Sequence, residues 1–91
     1  MERASVPYLP RGVRIHHDRM RDAWVLLAPE RAVSLDPVAH AVLSEVDGSR
    51  SFGEIIDTLA ARYDAPAEQI ADDSSGFLKA LMSRRFLEVR E

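Results

Sequence analysis

His16, His17 and His40 are the side chains of this 91-residue chain best suited to hold a metal or move a proton near neutral pH. His16 and His17 are adjacent in an alternating segment, where neighbours point to opposite faces, so the pair cannot grip one ion. His40 could join one of them, but no ligand spacing marks such a site. Asp57 and the pair Asp72-Asp73 offer carboxylates for acid–base work. Adjacent acids on a helix form a solvated face, and nothing near them in sequence marks them for acid–base work. Ser74 and Ser75 have no histidine near them in sequence, and no Gly-x-Ser-x-Gly turn holds a nucleophile. The four glycines are scattered rather than gathered into a phosphate-binding loop. There is no cysteine. These residues predict a protein that is not an enzyme and holds no metal or cofactor.

What remains is binding, and the composition narrows it. A 46% apolar, 30% charged chain of this length makes one small globular domain. No apolar run reaches the roughly 20 residues of a membrane helix, and the first residues lack a signal-peptide block, so a cytoplasmic location without a membrane partner is expected. Net charge is −3, unevenly spread. Residues 1–22 hold five arginines against three acids, whereas the rest is acidic. A duplex-binding domain shows the opposite balance in its helices, so a nucleic-acid partner is not expected. The local basic cluster is Lys79 with Arg84-Arg85. Its simplest role is to offset a helix dipole, and its sharper one is to flank a groove for an acidic peptide.

The elements that must position these groups read as follows. Residues 1–10, with two prolines and no period, form an extended arm ahead of a domain spanning 11–91. Gly12 to Asp18 alternates as a half-buried strand. Trp24 to Leu27 is a compact apolar run suited to a central strand covered on both faces, with Trp24 a core aromatic. Ala28-Pro29-Glu30-Arg31 is a turn, with proline's fixed φ at its second position. Arg31 to Leu35 returns as a more polar strand with nothing after it to pair with. An edge strand leaves unpaired N–H and C=O groups to which another chain can add. Proline at Val33 would block that addition if the Val33 N–H faces the guest.

From Asp36 the period becomes helical. Asp36 caps the first helix, Pro37 sits at its first position, and Asp47-Gly48 closes it. Ser51 and Glu54 form a capping box for a second helix to Tyr63. Pro66 opens a third, running to about Arg84. Asp72-Asp73-Ser74-Ser75-Gly76 is poor helix material, so this helix is expected to kink, fray or split there. Phe86 to Val89 either adds a short strand or docks on the core. The fold class is α+β, a three-stranded antiparallel sheet near 12–18, 23–28 and 31–35 followed by three helices.

Pro7-x-Leu9, Arg11-Gly12-Val13-Arg14 and Trp24-Val25-Leu26-Leu27-Ala28-Pro29-Glu30-Arg31 resemble the N-terminal half of the pyrroloquinoline quinone (PQQ) biosynthesis protein D (PqqD) family. Asp47-Gly48-x-Arg50-Ser51-Phe52-x-Glu54-Ile55, Leu59-x-x-x-Tyr63, Ile70-x-x-Asp73 and Phe77-Leu78-x-x-Leu81 continue the likeness over residues 7 to 89. Ser74 departs from a usual aliphatic residue, and Arg84-Arg85 replaces a usual glycine; both bear on the third helix. The resemblance implies a winged-helix-like leader-recognition domain. It would be a peptide chaperone that holds the precursor PqqA and presents it to the radical S-adenosylmethionine (SAM) enzyme PqqE. It also implies a groove between the third strand of the three-stranded sheet and the third helix. Carried onto this chain, its walls are Arg31, Ala32, Val33, Ser34 and Leu35 on one side and Phe77, Leu78, Leu81, Met82 and Arg85 on the other. Two other readings compete: a winged-helix nucleic-acid binder, and a homodimer in which a second copy takes the same edge.

Overall fold

The computed structural model describes residues 1–90. In chain order the elements are β1 (Val6–Tyr8), β2 (Arg14–Asp18), β3 (Ala23–Ala28), β4 (Arg31–Leu35), α1 (Pro37–Ser44), α2 (Phe52–Tyr63), α3 (Ala67–Ser83) and β5 (Glu88–Arg90). The expected α+β layout is present, with a three-stranded antiparallel sheet ordered β2-β3-β4 and three helices. A second sheet was not foreseen. Its two strands, β1 and β5, pair antiparallel, with Pro7 opposite Val89.

Residues 1–10 accordingly do not stand apart as an arm. Beyond the β1–β5 ladder, the carbonyls of Ser5 and Arg3 accept from the N–H groups of Phe52 and Gly53 at 2.7 and 2.9 Å. These are N–H groups of the first turn of α2, which an isolated helix leaves without partners. Ser51 and Glu54 complete the cap reciprocally, as the sequence predicts. The Arg3 guanidinium then lies 2.8 Å from Asp57 on the same helix.

α3 is one continuous helix of 17 residues, neither kinked nor split at Asp72–Gly76. Its middle turns are held from outside. Ser74 is buried, and the N-terminal ammonium of Met1 donates to Ser75 Oγ at 2.9 Å. Intrinsic propensity is a weak term beside such contacts. The helix ends in a Schellman motif, in which the N–H of Phe86 reaches the Leu81 carbonyl and that of Arg85 the Met82 carbonyl. Arg85 therefore occupies the left-handed position, φ 63°, that glycine fills without strain. Phe86 and Leu87 are buried and deliver the chain to β5.

The core joins Leu26 and Leu35 of the sheet to Leu43, Phe52, Ile55, Ile56 and Leu59 of the first two helices and to Leu78, Leu81 and Phe86. α1 ends at Ser44, short of Asp47-Gly48, and its C-cap Glu45 is gripped from two sides. Arg50 Nη2 lies 2.9 Å from one carboxylate oxygen and Arg62 Nη2 2.6 Å from the other. This pair of arginines ties the end of α1 to the following loop and to α2.

The Arg50 hydrogen bond is the largest cause holding the Glu45 carboxyl below its usual value; burial opposes it and the Arg62 hydrogen bond adds to it. A carboxylate lowered by folding stabilises fully above its unfolded value, near pH 4.5, and less as pH falls through its folded one. Arg50 and Arg62 remain 32% and 50% exposed, so the loss on breaking the group should fall below the 3–5 kcal/mol of a fully buried pair. Glu45→Gln is expected to lower stability by about 2 kcal/mol at pH 7 and by much less near pH 3, read by urea unfolding at both pH values.

Candidate functional site: the β4 edge and its groove

The turn at Pro29-Glu30 decides what β4 can offer. It joins β3 to β4 through two residues, with Glu30 at φ 62°, so Ala28 and Arg31 close the ladder as a hydrogen-bonded pair. Pairs then alternate along the register Leu27–Ala32, Leu26–Val33, Val25–Ser34 and Trp24–Leu35. Arg31, Val33 and Leu35 turn their backbone groups toward β3, whereas Ala32 and Ser34 turn theirs outward. No further strand lies beyond β4 among the described residues. The Val33 N–H is therefore committed to the hairpin, and the groups a guest could use belong to Ala32 and Ser34. Side chains divide the opposite way: Leu35 is buried and Val33 half-buried on the core face, while Ala32 and Ser34 are exposed.

The C-terminal end of α3 meets the start of β4. At the start of β4, Arg31 Nη1 donates to the Arg84 carbonyl at 2.6 Å, and the Arg31 guanidinium lies 4.2 Å over the Phe86 ring. Beyond the far end of β4, Pro37 and Val38 of α1 share an apolar cavity of about 270 Å³ with Ile70, Asp73 and Ser74 of α3 and Tyr63 of α2. From residue 73 to 84 a helix rises about 16 Å, a fair match to the roughly 13 Å of β4. Phe77, half-buried against the core, lies on the stretch between these ends.

The groove walls expected from sequence divide accordingly. Arg31 to Leu35 form the edge. Leu78 and Leu81, at 0% and 3% exposure, are core residues and present no surface to a groove. Helical spacing could not separate them from Phe77, because one apolar stripe serves both the core and whatever lies beyond it. Met82 lines a recess with Met1, Glu2, Ser5, Lys79 and Val89, on the side where the N-terminal segment packs. Arg85 is exposed at the C-terminal end of α3. Sequence reasoning missed Val38, which is 69% exposed at the cavity mouth, and gave Ile70 no role beyond the core. An exposed valine in a first helical turn was the available signal.

Trp24 is not a core aromatic. It is 39% exposed and stands between two histidines, 4.7 Å from the His17 ring and 4.1 Å from that of His40, the latter stacked. His17 bonds Asp22 at 3.1 Å. The outer face of β3 is only partly covered, with Val25 and Leu27 half-buried. Among the described residues, no group of three or more His, Asp or Glu side chains is placed to hold a metal. No helix among them is long and apolar enough to cross a membrane.

The family model for Coenzyme PQQ synthesis protein D (PqqD) matches residues 23–87, from the first residue of β3 to the residue before β5. The chain belongs to the PqqD family. It is 46% identical to the PqqA binding protein of Xanthomonas campestris pv. campestris (strain 8004), over 98% of this chain and 97% of that one. Identity to the PqqA binding protein of Rhizobium meliloti (strain 1021) is 45%, over 94% and 88%. Among solved structures it is similar to the PqqD truncation of Methylobacterium extorquens PqqCD, a stand-alone recognition element for ribosomally synthesized and post-translationally modified peptides (RiPPs). That match has a TM-score of 0.79 at 46% identity, covering 91% and 88% of the two chains. It is also similar to TbiB1 in complex with the TbiA(beta) leader peptide, at TM-score 0.74 and 26% identity over 89% and 94%. The PqqD likeness is thus carried by the whole domain, N-terminal strand included.

The backbone parity makes a direct test. Val33→Pro removes a ladder hydrogen bond and should cost about 3 kcal/mol of stability. Ala32→Pro, whose N–H faces outward, should cost less than about 1 kcal/mol. Thermal unfolding of both variants checks the ordering.

Proposed function

We propose that this chain is a peptide chaperone of PQQ biosynthesis that binds the precursor PqqA by strand addition at β4 and presents it to the radical SAM enzyme PqqE. In this reading the domain is winged-helix-like and non-catalytic, and acts by holding its guest in an extended form. The observation that carries the reading is the uncommitted backbone of Ala32 and Ser34 on the open edge of β4. The relatives named for PqqA binding support the choice of guest, and the leader-peptide complex of a similar fold supports the binding of a peptide.

Magnitudes say what the groove must add. Ala32 and Ser34 together offer two N–H and two C=O groups, hence four hydrogen bonds at a net of about 1 kcal/mol each. A micromolar complex needs about 8 kcal/mol, before the cost of ordering a flexible peptide. Backbone pairing alone falls short and reads no sequence. One buried aliphatic side chain contributes about 1.5–3 kcal/mol. Two such anchors, one beside Val33 and Phe77 and one in the cavity of Val38 and Ile70, bring the sum into range and supply selectivity.

Titration with PqqA should shift amide resonances at Ala32, Ser34 and Phe77 most strongly, and Ala32→Pro should weaken binding at least about tenfold with the fold intact. Shifts confined to residues far from β4 and α3 would refute this placement.

A further inference from the structure

The side chains of Arg3, Arg21, Arg50 and Arg62 each face a carboxylate. Arg31, Arg84 and Arg85 do not, among the described residues. Arg31 and Arg84 converge from two distant parts of the chain on one ring: the Arg31 guanidinium sits 4.2 Å over Phe86 and that of Arg84 5.2 Å over it. Arg85 follows directly, in the left-handed conformation. The α3 dipole favours cations at its C-terminal end, and Arg31, from a strand 53 residues earlier, joins them there by donating to the C-cap carbonyl of Arg84. Glycine at position 85 would relieve roughly 1 kcal/mol of backbone strain. In a chain of net charge −3, three unpaired arginines at one end of an open strand edge form a local site for negative charge.

The strand register gives that charge an address. A guest pairing antiparallel with β4 bonds through the positions opposite Ala32 and Ser34. Its residues opposite Arg31, Val33 and Leu35 then put their side chains on the core face. The first of these meets Arg31, the second meets half-buried Val33, and the third lies at the Leu35 end of the strand, the end that leads to Pro37 and Val38 at the apolar cavity. Resting on the strand-addition reading above, we infer that the guest segment has the pattern apolar-x-apolar-x-acid, N to C, with the acid's carboxylate held by Arg31, Arg84 and Arg85. The guanidiniums are matched to carboxylate by their fork of N–H donors.

The test is a coupling experiment on the full chain with dye-labelled PqqA as the probe, read by fluorescence anisotropy. Each Asp and Glu of PqqA is changed in turn to its amide, and the chain is tested as wild type, Arg31→Gln, Arg84→Gln and Arg85→Gln. One acid, two and four residues after apolar ones, should lose about five- to tenfold in affinity on amidation. The arginine variants should lose a similar factor for unchanged PqqA and almost nothing further for that amide. Arg31→Gln gives up the bond to the Arg84 carbonyl; Arg85→Gln breaks no such bond and keeps the test clear of folding effects.

If all three variants bind PqqA within twofold of wild type while amides at Ala32 and Ser34 still respond, the inference is wrong and strand addition stands. If PqqA perturbs neither residue, strand addition falls and takes the inference with it. Duplex DNA of about 20 base pairs bound more tightly than PqqA, and weakened by the same variants, would assign the arginines to phosphates and overturn it.

Discussion

A two-residue turn has only one consistent ladder parity, and at Pro29-Glu30 that parity divides β4 into groups spent on the hairpin and groups left over. The open backbone of β4 depends on this division. Had the turn been one residue longer, Val33 would face outward with its backbone, and the strand's side chains would exchange faces. Leu35 would then leave the core that it helps to seal with Leu26 and Leu43. The core requirement and the open backbone of Ala32 and Ser34 are two consequences of one register.

The remaining extended segments are arranged so that none of them takes the edge. β1 and β5, the two ends of the described chain, satisfy each other in a separate sheet. The carbonyls of Arg3 and Ser5 are occupied by the start of α2. β2 has an outer edge of its own, but it flanks His17, Trp24 and the polar turn rather than an apolar groove. An exposed edge invites pairing with other copies, and β4 limits this by being five residues long with an arginine and a serine along it.

α3 carries two duties on one surface. Leu78 and Leu81 face the core, while Ile70 and Asp73 border the cavity beside α1. A helix that split at Asp72–Gly76 could not do both, since the turns before and after the break would lose their common orientation. Its continuity is secured by packing at Ser74 and by the Met1 ammonium at Ser75. Electrostatics divide similarly. Glu45 binds its two arginines into the frame, whereas Arg31 and Arg84 over Phe86 face no carboxylate among the described residues.

Much of this was legible in the residues themselves, because it is set within a few positions of chain. The alternation of β2, the proline turn, Asp36 with Pro37, and the Ser51–Glu54 box are local hydrogen-bonding and steric devices, and each forms where it is written. Trp24 beside two histidines, the β1–β5 pair, the unbroken α3 and the split between Leu78 or Leu81 and Phe77 were not legible. Each of these is decided by a partner tens of residues away: β5 for β1, Met1 for Ser75, His40 for Trp24. Periodicity marks a face as apolar, but only the packed structure says whether protein or open space lies against it.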